Sequence, residues 1–173
     1  QYLKEMVGDN YILSPEQSLD LHTGNNVLPS QLLIGNAKKA NRIVPLPRGL
    51  SLSLYTATEI PKQSDVHDGV NIYPLEMALI KAGPSYFRRQ IQEVALALGA
   101  ANHRLILQRL LKEGHVAAAG RLAGAYRELN MPSAADEILS VMTAAGFRIK
   151  EVNPFDEPLP DFTVLRPQSP HAA

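Results

Sequence analysis

The feature that most constrains this chain is a change in the spacing of its apolar residues at Tyr73. Before Tyr73 the apolar residues fall in short runs, and positions 50–55 alternate apolar and polar side chains as a half-buried strand does. From Tyr73 to Gly146 they recur every three or four positions, in segments that end at glycine, which is typical of helices. We therefore predict an α+β fold, with a small, mostly antiparallel sheet flanked by helices and followed by a helical half.

The first half predicts four short strands and one well-capped helix. Ser14 is a good N-cap residue, Pro15 suits the first helical position, Gln17 has the spacing of a capping box and Gly24 is the expected stop. The predicted strands are 11–13, 31–34, 42–44 and 50–55, and residues 61–70 are predicted to form a loop.

The second half predicts five helices and one more strand. Asn102 and Ser133 stand where helix N-caps are expected. The predicted helices are 74–80, 85–98, 102–112, 116–129 and 133–145, and the predicted strand is 147–152. As domains, residues 1–9 are expected to be the remnant of a preceding element, 10–153 the α+β domain, and 154–173 a proline-rich extended tail or linker.

Composition excludes several classes of protein. The chain contains no cysteine, which rules out a disulfide scaffold, a cysteine nucleophile and a thiolate zinc site. Seventeen basic and 17 acidic residues balance, so no net field draws the whole chain to nucleic acid or to an anionic membrane. No apolar run approaches the roughly 20 residues that span a bilayer. We therefore expect a cytoplasmic protein without membrane contact, and we expect a chain that begins at Gln1 to be a piece of a longer one.

The charges are unevenly distributed along the chain. Residues 84–130 carry seven basic and three acidic groups, whereas residues 131–173 carry three basic and six acidic groups. This asymmetry predicts internal pairing or one positive face for a partner, and charged faces in contact with water are the plain alternative. The candidate basic face consists of Arg88, Arg89, Arg104, Arg109 and Arg127, with Lys112 and Arg121 on the same run of predicted helices.

No motif of a known catalytic or cofactor site occurs in the chain. The patterns GxxxxGK[ST], GxGxxG, GxSxG and HExxH are absent, so we assign no catalytic, cofactor-binding or metal-binding residue and expect no cofactor. Asp65, His67 and Asp68 form the only tight group of acidic and histidine side chains. A polar loop before Gly69 accounts for them, and a metal-dependent enzyme centred on them is the alternative.

Two glycines lie on one face of the predicted helix 116–129. Gly120 and Gly124 are four residues apart, with Arg121 between them. A glycine inside a helix costs about 1 kcal/mol relative to alanine, which a closely packed neighbouring backbone would offset. Because small residues at this spacing let another helix approach, we predict a close-packing face at Gly120, Gly124 and Arg121. An internal helix or another protein would fill it.

Several stretches resemble the C-terminal domain of AbiEi-type antitoxins, which belong to type IV toxin–antitoxin systems. Residues 11–24, YILSPEQSLDLHTG, resemble the YLSxxSALxLHG stretch that follows a winged helix in that family. Residues 29–36, with Lys38 and Lys39, correspond to its PxxIxVAT segment and basic link, and residues 73–80 correspond to its xxPERALLD helix.

Residues 114–122 and 146–155 are similar to a variant of this domain found ahead of Fic enzymes, so the resemblance covers about residues 10–155. The chain also departs from both families. The operator-binding winged helix of the antitoxins would lie before Gln1, and the Fic motif HxFx[DE]GNGR is absent. The inhibitory [ST]xxxE[GN] pattern of Fic regulators is only half present, at Ser133 and Glu137.

The resemblance implies a bacterial, non-enzymatic, antitoxin-like regulatory domain that acts through protein contacts. The implied partner is a cognate toxin or a linked enzyme domain. Transcriptional autoregulation and DNA binding would depend on the missing winged helix, and homo-oligomers are compatible with this role. The alternative is the regulatory N-terminal region of a Fic-type nucleotidyl transferase whose catalytic domain lies outside this chain.

Overall fold

A computed structural model describes residues 2–25, 27–38 and 41–155 of the 173-residue chain. Within these ranges the chain forms eight α-helices, a four-stranded sheet and a two-stranded sheet, which confirms the predicted α+β class. The helices are α1 (Tyr2–Val7), α2 (Pro15–His22), α3 (Leu75–Lys81), α4 (Pro84–Arg89), α5 (Ile91–Ala100), α6 (His103–Glu113), α7 (Val116–Glu128) and α8 (Pro132–Ala144). The strands are β1 (Tyr11–Leu13), β2 (Gln31–Asn36), β3 (Arg42–Pro45), β4 (Ser51–Thr56), β5 (Asp65–His67) and β6 (Val70–Ile72), with a short 3₁₀ turn at Pro47–Gly49.

The four-stranded sheet has the order β1-β2-β4-β3. Its central strands, β2 and β4, run parallel with Ile34 opposite Leu54, while β1 and β3 pair antiparallel on the two sides. Leu52 and Leu54 are buried, as the alternation predicts, and they share a core with Ile34. Strand β3 lies at the edge of this sheet, where its terminal Pro45 is tolerated because an edge strand has a side that needs no ladder hydrogen bond.

Helix α2 is capped as predicted, but Gln17 has a different role from the one expected. The Ser14 hydroxyl oxygen accepts the backbone N–H of Gln17 at 3.2 Å. The Gln17 side chain then reaches strand β2, accepting the Leu33 N–H at 2.8 Å and donating to the Gln31 carbonyl at 2.9 Å. Gln17 therefore joins the helix to the sheet instead of completing a capping box.

The segment 61–70, predicted to be a loop, contributes most of a β-hairpin, so that prediction is wrong. Strands β5 and β6 pair antiparallel around Asp68 and Gly69, whose φ angles are 49° and 80°. Two positive φ angles define a type I′ turn, which Asp-Gly sequences favour. The Tyr11 hydroxyl accepts the Asn71 N–H and donates to the Gly69 carbonyl, both at 3.3 Å, so the hairpin is fastened to β1.

The helical half surrounds the larger of two cores, and one predicted helix within it is interrupted. The predicted helix 85–98 is two helices, α4 and α5, because Gln90 between them has non-helical angles of φ −121° and ψ 54°. Ile91, the first residue after this break, is 45% exposed. The fully buried side chains of this core include Phe87, Leu98, Ile106, Leu110, Leu122 and Tyr126.

The two predicted N-caps differ in outcome. The Asn102 side chain accepts the backbone N–H groups of Arg104 and Leu105, so the cap of α6 is confirmed. Ser133 does not cap α8, because that helix begins at Pro132, whose ring suits the first turn, and Ser133 lies inside it.

Residues 147–155 form no strand, which corrects the prediction for 147–152. This segment, called the strap below, lies against α7 and is held there by a hydrogen bond from Val152 N–H to the Gly120 carbonyl at 3.2 Å. Pro154 is buried and Phe155 packs against the larger core. The rest of the predicted proline-rich tail, from residue 156 onward, lies outside the described residues.

The lengths of the helices can be compared with the length that a helix needs to span a membrane. The longest helices among the described residues, α7 and α8, have 13 residues each, and a bilayer requires roughly 20. None of the described helices has the length and apolarity needed to cross a membrane.

Candidate functional site

An apolar cleft of about 280 Å³ opens between helix α2, strand β2 and the β5–β6 hairpin. Its walls include Leu13, Leu32 and Val70. The connection from α2 to β2 completes it with Val27 and Leu28, which are 80% and 68% exposed. Two large aliphatic side chains therefore lie in water at the mouth of an apolar depression, and a contiguous surface of this kind typically marks an interaction site.

Local hydrogen bonds shape the mouth of the cleft. The Asn25 side chain accepts the backbone N–H of Val27 at 3.1 Å, a turn that presents the following apolar residues. Asp68, which also lines the cleft, belongs to the type I′ turn of the hairpin. The sequence contains both turn signals, but only the packing of the hairpin beside β1 brings them to one cleft.

Carboxylates give the cleft a negative rim. The Asp68 side chain is 94% exposed and lies 3.5 Å from the His67 ring nitrogen Nε2. Burial raises the pKa of Asp20 above its ordinary value, and a hydrogen bond of 2.8 Å from the Tyr86 hydroxyl opposes that rise. Burial and the nearby Asp20 also raise the pKa of Tyr86, so its hydroxyl keeps the proton that it donates. The cleft thus combines apolar walls with acidic groups at its edge.

The group Asp65, His67 and Asp68 is not gathered into one site. Asp65 Oδ2 lies 3.8 Å from His22 Nε2, while His67 pairs with Asp68. The same His22 nitrogen is 2.7 Å from the Tyr73 carbonyl oxygen, which requires it to carry a proton. Across the described ranges, no three histidine or acidic side chains are placed to hold a metal ion.

The glycine face of α7 is occupied by the strap. A Cβ atom added to Gly120 would overlap the Lys150 carbonyl oxygen, and one added to Gly124 would overlap the Val152 carbonyl oxygen. The approaching backbone therefore belongs to a non-helical segment of the same chain, and the prediction of an internal helix or another protein at this face is wrong. The hydrogen bond from Val152 to Gly120 adds a directional contact to this close approach.

Arg121, grouped with these glycines from the sequence, makes its contacts elsewhere. Its Nη2 donates to the Ala82 carbonyl at 3.0 Å, and its guanidinium carbon lies 5.3 Å from the centre of the Phe87 ring. Arg121 thus joins α7 to the connection between α3 and α4. A cation over an aromatic face is an attractive geometry that also covers the ring.

Part of the predicted basic face is paired internally. Arg127 donates to Glu151 on the strap at 2.5 Å and to Asp136 on α8 at 2.7 Å. These hydrogen bonds raise the pKa of Arg127 further above its already high ordinary value. Arg109 lies 3.6 Å from Glu113 on the same helix. At these two arginines the excess positive charge of residues 84–130 is balanced within the fold.

The other three arginines of that prediction lie on helices α4 and α6. Arg89 and Arg104 are exposed, and Arg88 is half-buried on α4. The Arg89 Nε donates to the Ser85 carbonyl at 3.4 Å, one turn back along the helix. The five arginines therefore lie in different surroundings, and no bound partner is required to account for Arg109 or Arg127.

Comparison of the chain with protein-family models, with curated proteins and with solved structures gives no match in any of the three. The resemblance to AbiEi-type antitoxins and to the region ahead of Fic enzymes therefore stays a prediction from the sequence.

Proposed function

We propose that this chain is a non-enzymatic, antitoxin-like regulatory domain that acts by binding another protein at the apolar cleft beside α2. The observation that supports this proposal is the exposure of Val27 and Leu28 at the mouth of a cleft with aliphatic walls. Burying such side chains against a partner removes apolar surface from water, which is the main favourable term in protein association.

The cleft indicates the chemistry of its partner. Its volume of about 280 Å³ is small for a cofactor site but suits a large apolar side chain inserted from another protein. Such an inserted anchor typically supplies most of the binding energy of an interface. The carboxylates of Asp20 and Asp68 at the rim favour basic residues beside the anchor, because opposite charges steer association and fix its orientation.

Selection from a library of random peptides displayed on phage tests this proposal. We expect enriched peptides with one aromatic or leucine side chain next to lysine or arginine. Leu28→Asp should weaken their binding by about tenfold or more, since a charge would be buried at the anchor site. Ile43→Asp is the matched control, because Ile43 has the same 68% exposure on strand β3 and does not line the cleft.

Three results would contradict the proposal: no enrichment over the Leu28→Asp protein, peptides that Leu28→Asp still binds, or equal losses in both variants. Melting curves of the two variants check that each is folded. The antitoxin-like role carries a further requirement. Co-expression of the chain must relieve the growth inhibition caused by its partner, and Leu28→Asp must remove that relief while Ile43→Asp keeps it.

A further inference from the structure

A second cleft, of about 680 Å³, lies on a different part of the molecule. The connection 59–63 forms one side, and helices α3 and α6 form the other. This volume is within the range of small-molecule sites, which is roughly 300–1,000 Å³. The cleft is separate from the apolar cleft beside α2, because the two have no lining residue in common.

The acidic groups of this second cleft already have cations beside them. Glu59 Oε2 lies 3.7 Å from Lys81 Nζ. Glu113 lies 3.6 Å from Arg109 and 2.5 Å from the His115 ring. Burial raises the pKa of Glu113, but the hydrogen bond and charge of His115, with Lys81 and Arg109, outweigh it and leave the pKa below its ordinary value. Both carboxylates are therefore balanced by neighbours.

Two lysines of the cleft have no such balance. Lys62 on the connecting segment and Lys112 on α6 line the cleft from opposite sides. Within the described ranges neither side chain makes a hydrogen bond or an ion pair. Lysine presents a compact charge on a flexible stem, which suits binding of phosphate groups as a point charge. Three basic and two acidic side chains line the cleft, which therefore carries an excess of positive charge.

The remaining wall is apolar. Ile60 and Pro61 are half-buried and supply its exposed surface, whereas Met77 on α3 lines the cleft but is only 2% exposed. A purely inorganic anion would leave this wall in contact with water. A ligand that has an apolar or aromatic part next to its charges would cover the wall and meet both lysines.

We infer that this second cleft binds a small-molecule anion of the phosphate-ester type, with at least two negative charges and an apolar or aromatic part. Lys62 and Lys112 contact the charged end, and the half-buried Ile60 and Pro61 contact the apolar part. Arg109 stays paired with Glu113 and lies next to the charged end of the ligand. The inference is independent of the protein-binding role proposed for the apolar cleft.

Titration of the protein with ATP, followed by NMR and by calorimetry, tests this inference, with adenosine and inorganic phosphate as comparison probes. ATP should bind more tightly than either, and its affinity should fall as the salt concentration rises. Lys112→Met removes the charge but keeps a stem of similar length, and it should weaken ATP binding about tenfold. Lys112→Arg should restore most of the affinity.

Lys4→Met is the matched control, because Lys4 is an exposed lysine of α1 that does not line the cleft. It changes the net charge equally and should leave ATP binding unchanged. Equal losses in Lys4→Met and Lys112→Met would overturn the inference, since bulk charge alone would then explain binding. So would equal affinities for ATP and inorganic phosphate, equal affinities for ATP and adenosine, or no binding of ATP. Tighter binding of a DNA duplex that Lys112→Met abolishes would also overturn it, in favour of a nucleic-acid contact.

Discussion

Replacing Gly124 with alanine is expected to destabilise the protein, although alanine is the better helix former. The site lies in the middle of α7, where the strap crosses. A Cβ atom at this position would overlap the Val152 carbonyl oxygen and lie 2.5 Å from its carbonyl carbon and 3.2 Å from Asn153 N. These are backbone atoms, so no side-chain rotation relieves the overlap and the strap itself must move.

The size of the effect follows from three terms. Alanine in place of glycine stabilises a helix interior by roughly 1 kcal/mol. Overpacking costs about 1–3 kcal/mol. Displacing the strap also lengthens or breaks the hydrogen bond from Val152 to Gly120, which contributes about 1 kcal/mol. The ion pair of Glu151 with Arg127 is partly exposed and adds little. The net loss is about 1–3 kcal/mol.

Thermal unfolding by calorimetry and urea unfolding by circular dichroism measure this loss. For a chain of this size, 1 kcal/mol shifts Tm by about 2–4 °C, so Gly124→Ala should melt about 2–12 °C lower. Gly99→Ala is the matched control: it lies in helix α5, and a Cβ atom there meets nothing within 4 Å. The free energy of unfolding of Gly99→Ala should rise by about 0.5–1 kcal/mol, the ordinary gain of alanine over glycine in a helix.

The two variants are thus expected to move Tm in opposite directions. A Gly124→Ala protein that melts as high as Gly99→Ala would refute the reasoning, because it would mean that the strap does not lie against α7. Gly120→Ala gives a second measurement at the Lys150 carbonyl and should behave like Gly124→Ala.

Two further predictions concern helix capping and pH. Asn102→Ala should lower the free energy of unfolding by about 1 kcal/mol because it removes the acceptor for two N–H groups. Ser133→Ala should stay within about 0.5 kcal/mol, and equal losses in urea unfolding would contradict the assignment of caps. Burial raises the pKa of Asp20 above 3.8 in the folded state, so the folded protein binds the proton of the Asp20 carboxyl more tightly than the unfolded protein does. The protonated carboxyl therefore contributes stability at low pH, and this contribution is lost as pH rises through the folded pKa. The Tm of the wild type relative to Asp20→Asn should therefore fall from about pH 4 to pH 7, and a constant difference would show that this carboxylate does not titrate abnormally.

Much of the local structure could be predicted from the sequence because its causes lie within a few residues. The Ser14-Pro15 start of α2 and the Asn102 cap of α6 each depend on hydrogen bonds to the next turn. The Asp68-Gly69 pair was an equally local signal for a type I′ turn, but the polar character of residues 61–70 concealed the short strands on either side. The break at Gln90 has no glycine or proline to mark it.

The candidate sites were the least predictable part. The apolar cleft needs the hairpin to pack beside β1 so that Asp68 and Val70 face the residues that follow α2. The second cleft needs Lys62 and Lys112, which are far apart in the sequence, to line one space beside the packed helices α3 and α6. No spacing in the sequence encodes either arrangement.

By itself, the sequence determined the α+β class, the positions of most helices and strands, and a helix face where Gly120 and Gly124 permit a close neighbour. The tertiary structure alone decided which backbone fills that face. Alternation and helical periodicity record which side of an element is apolar, because they reflect burial of the element's own residues. The identity of the neighbour depends on where a distant segment comes to lie when the whole core packs, which is why residues 147–152 alternate like a strand yet form a strap along α7.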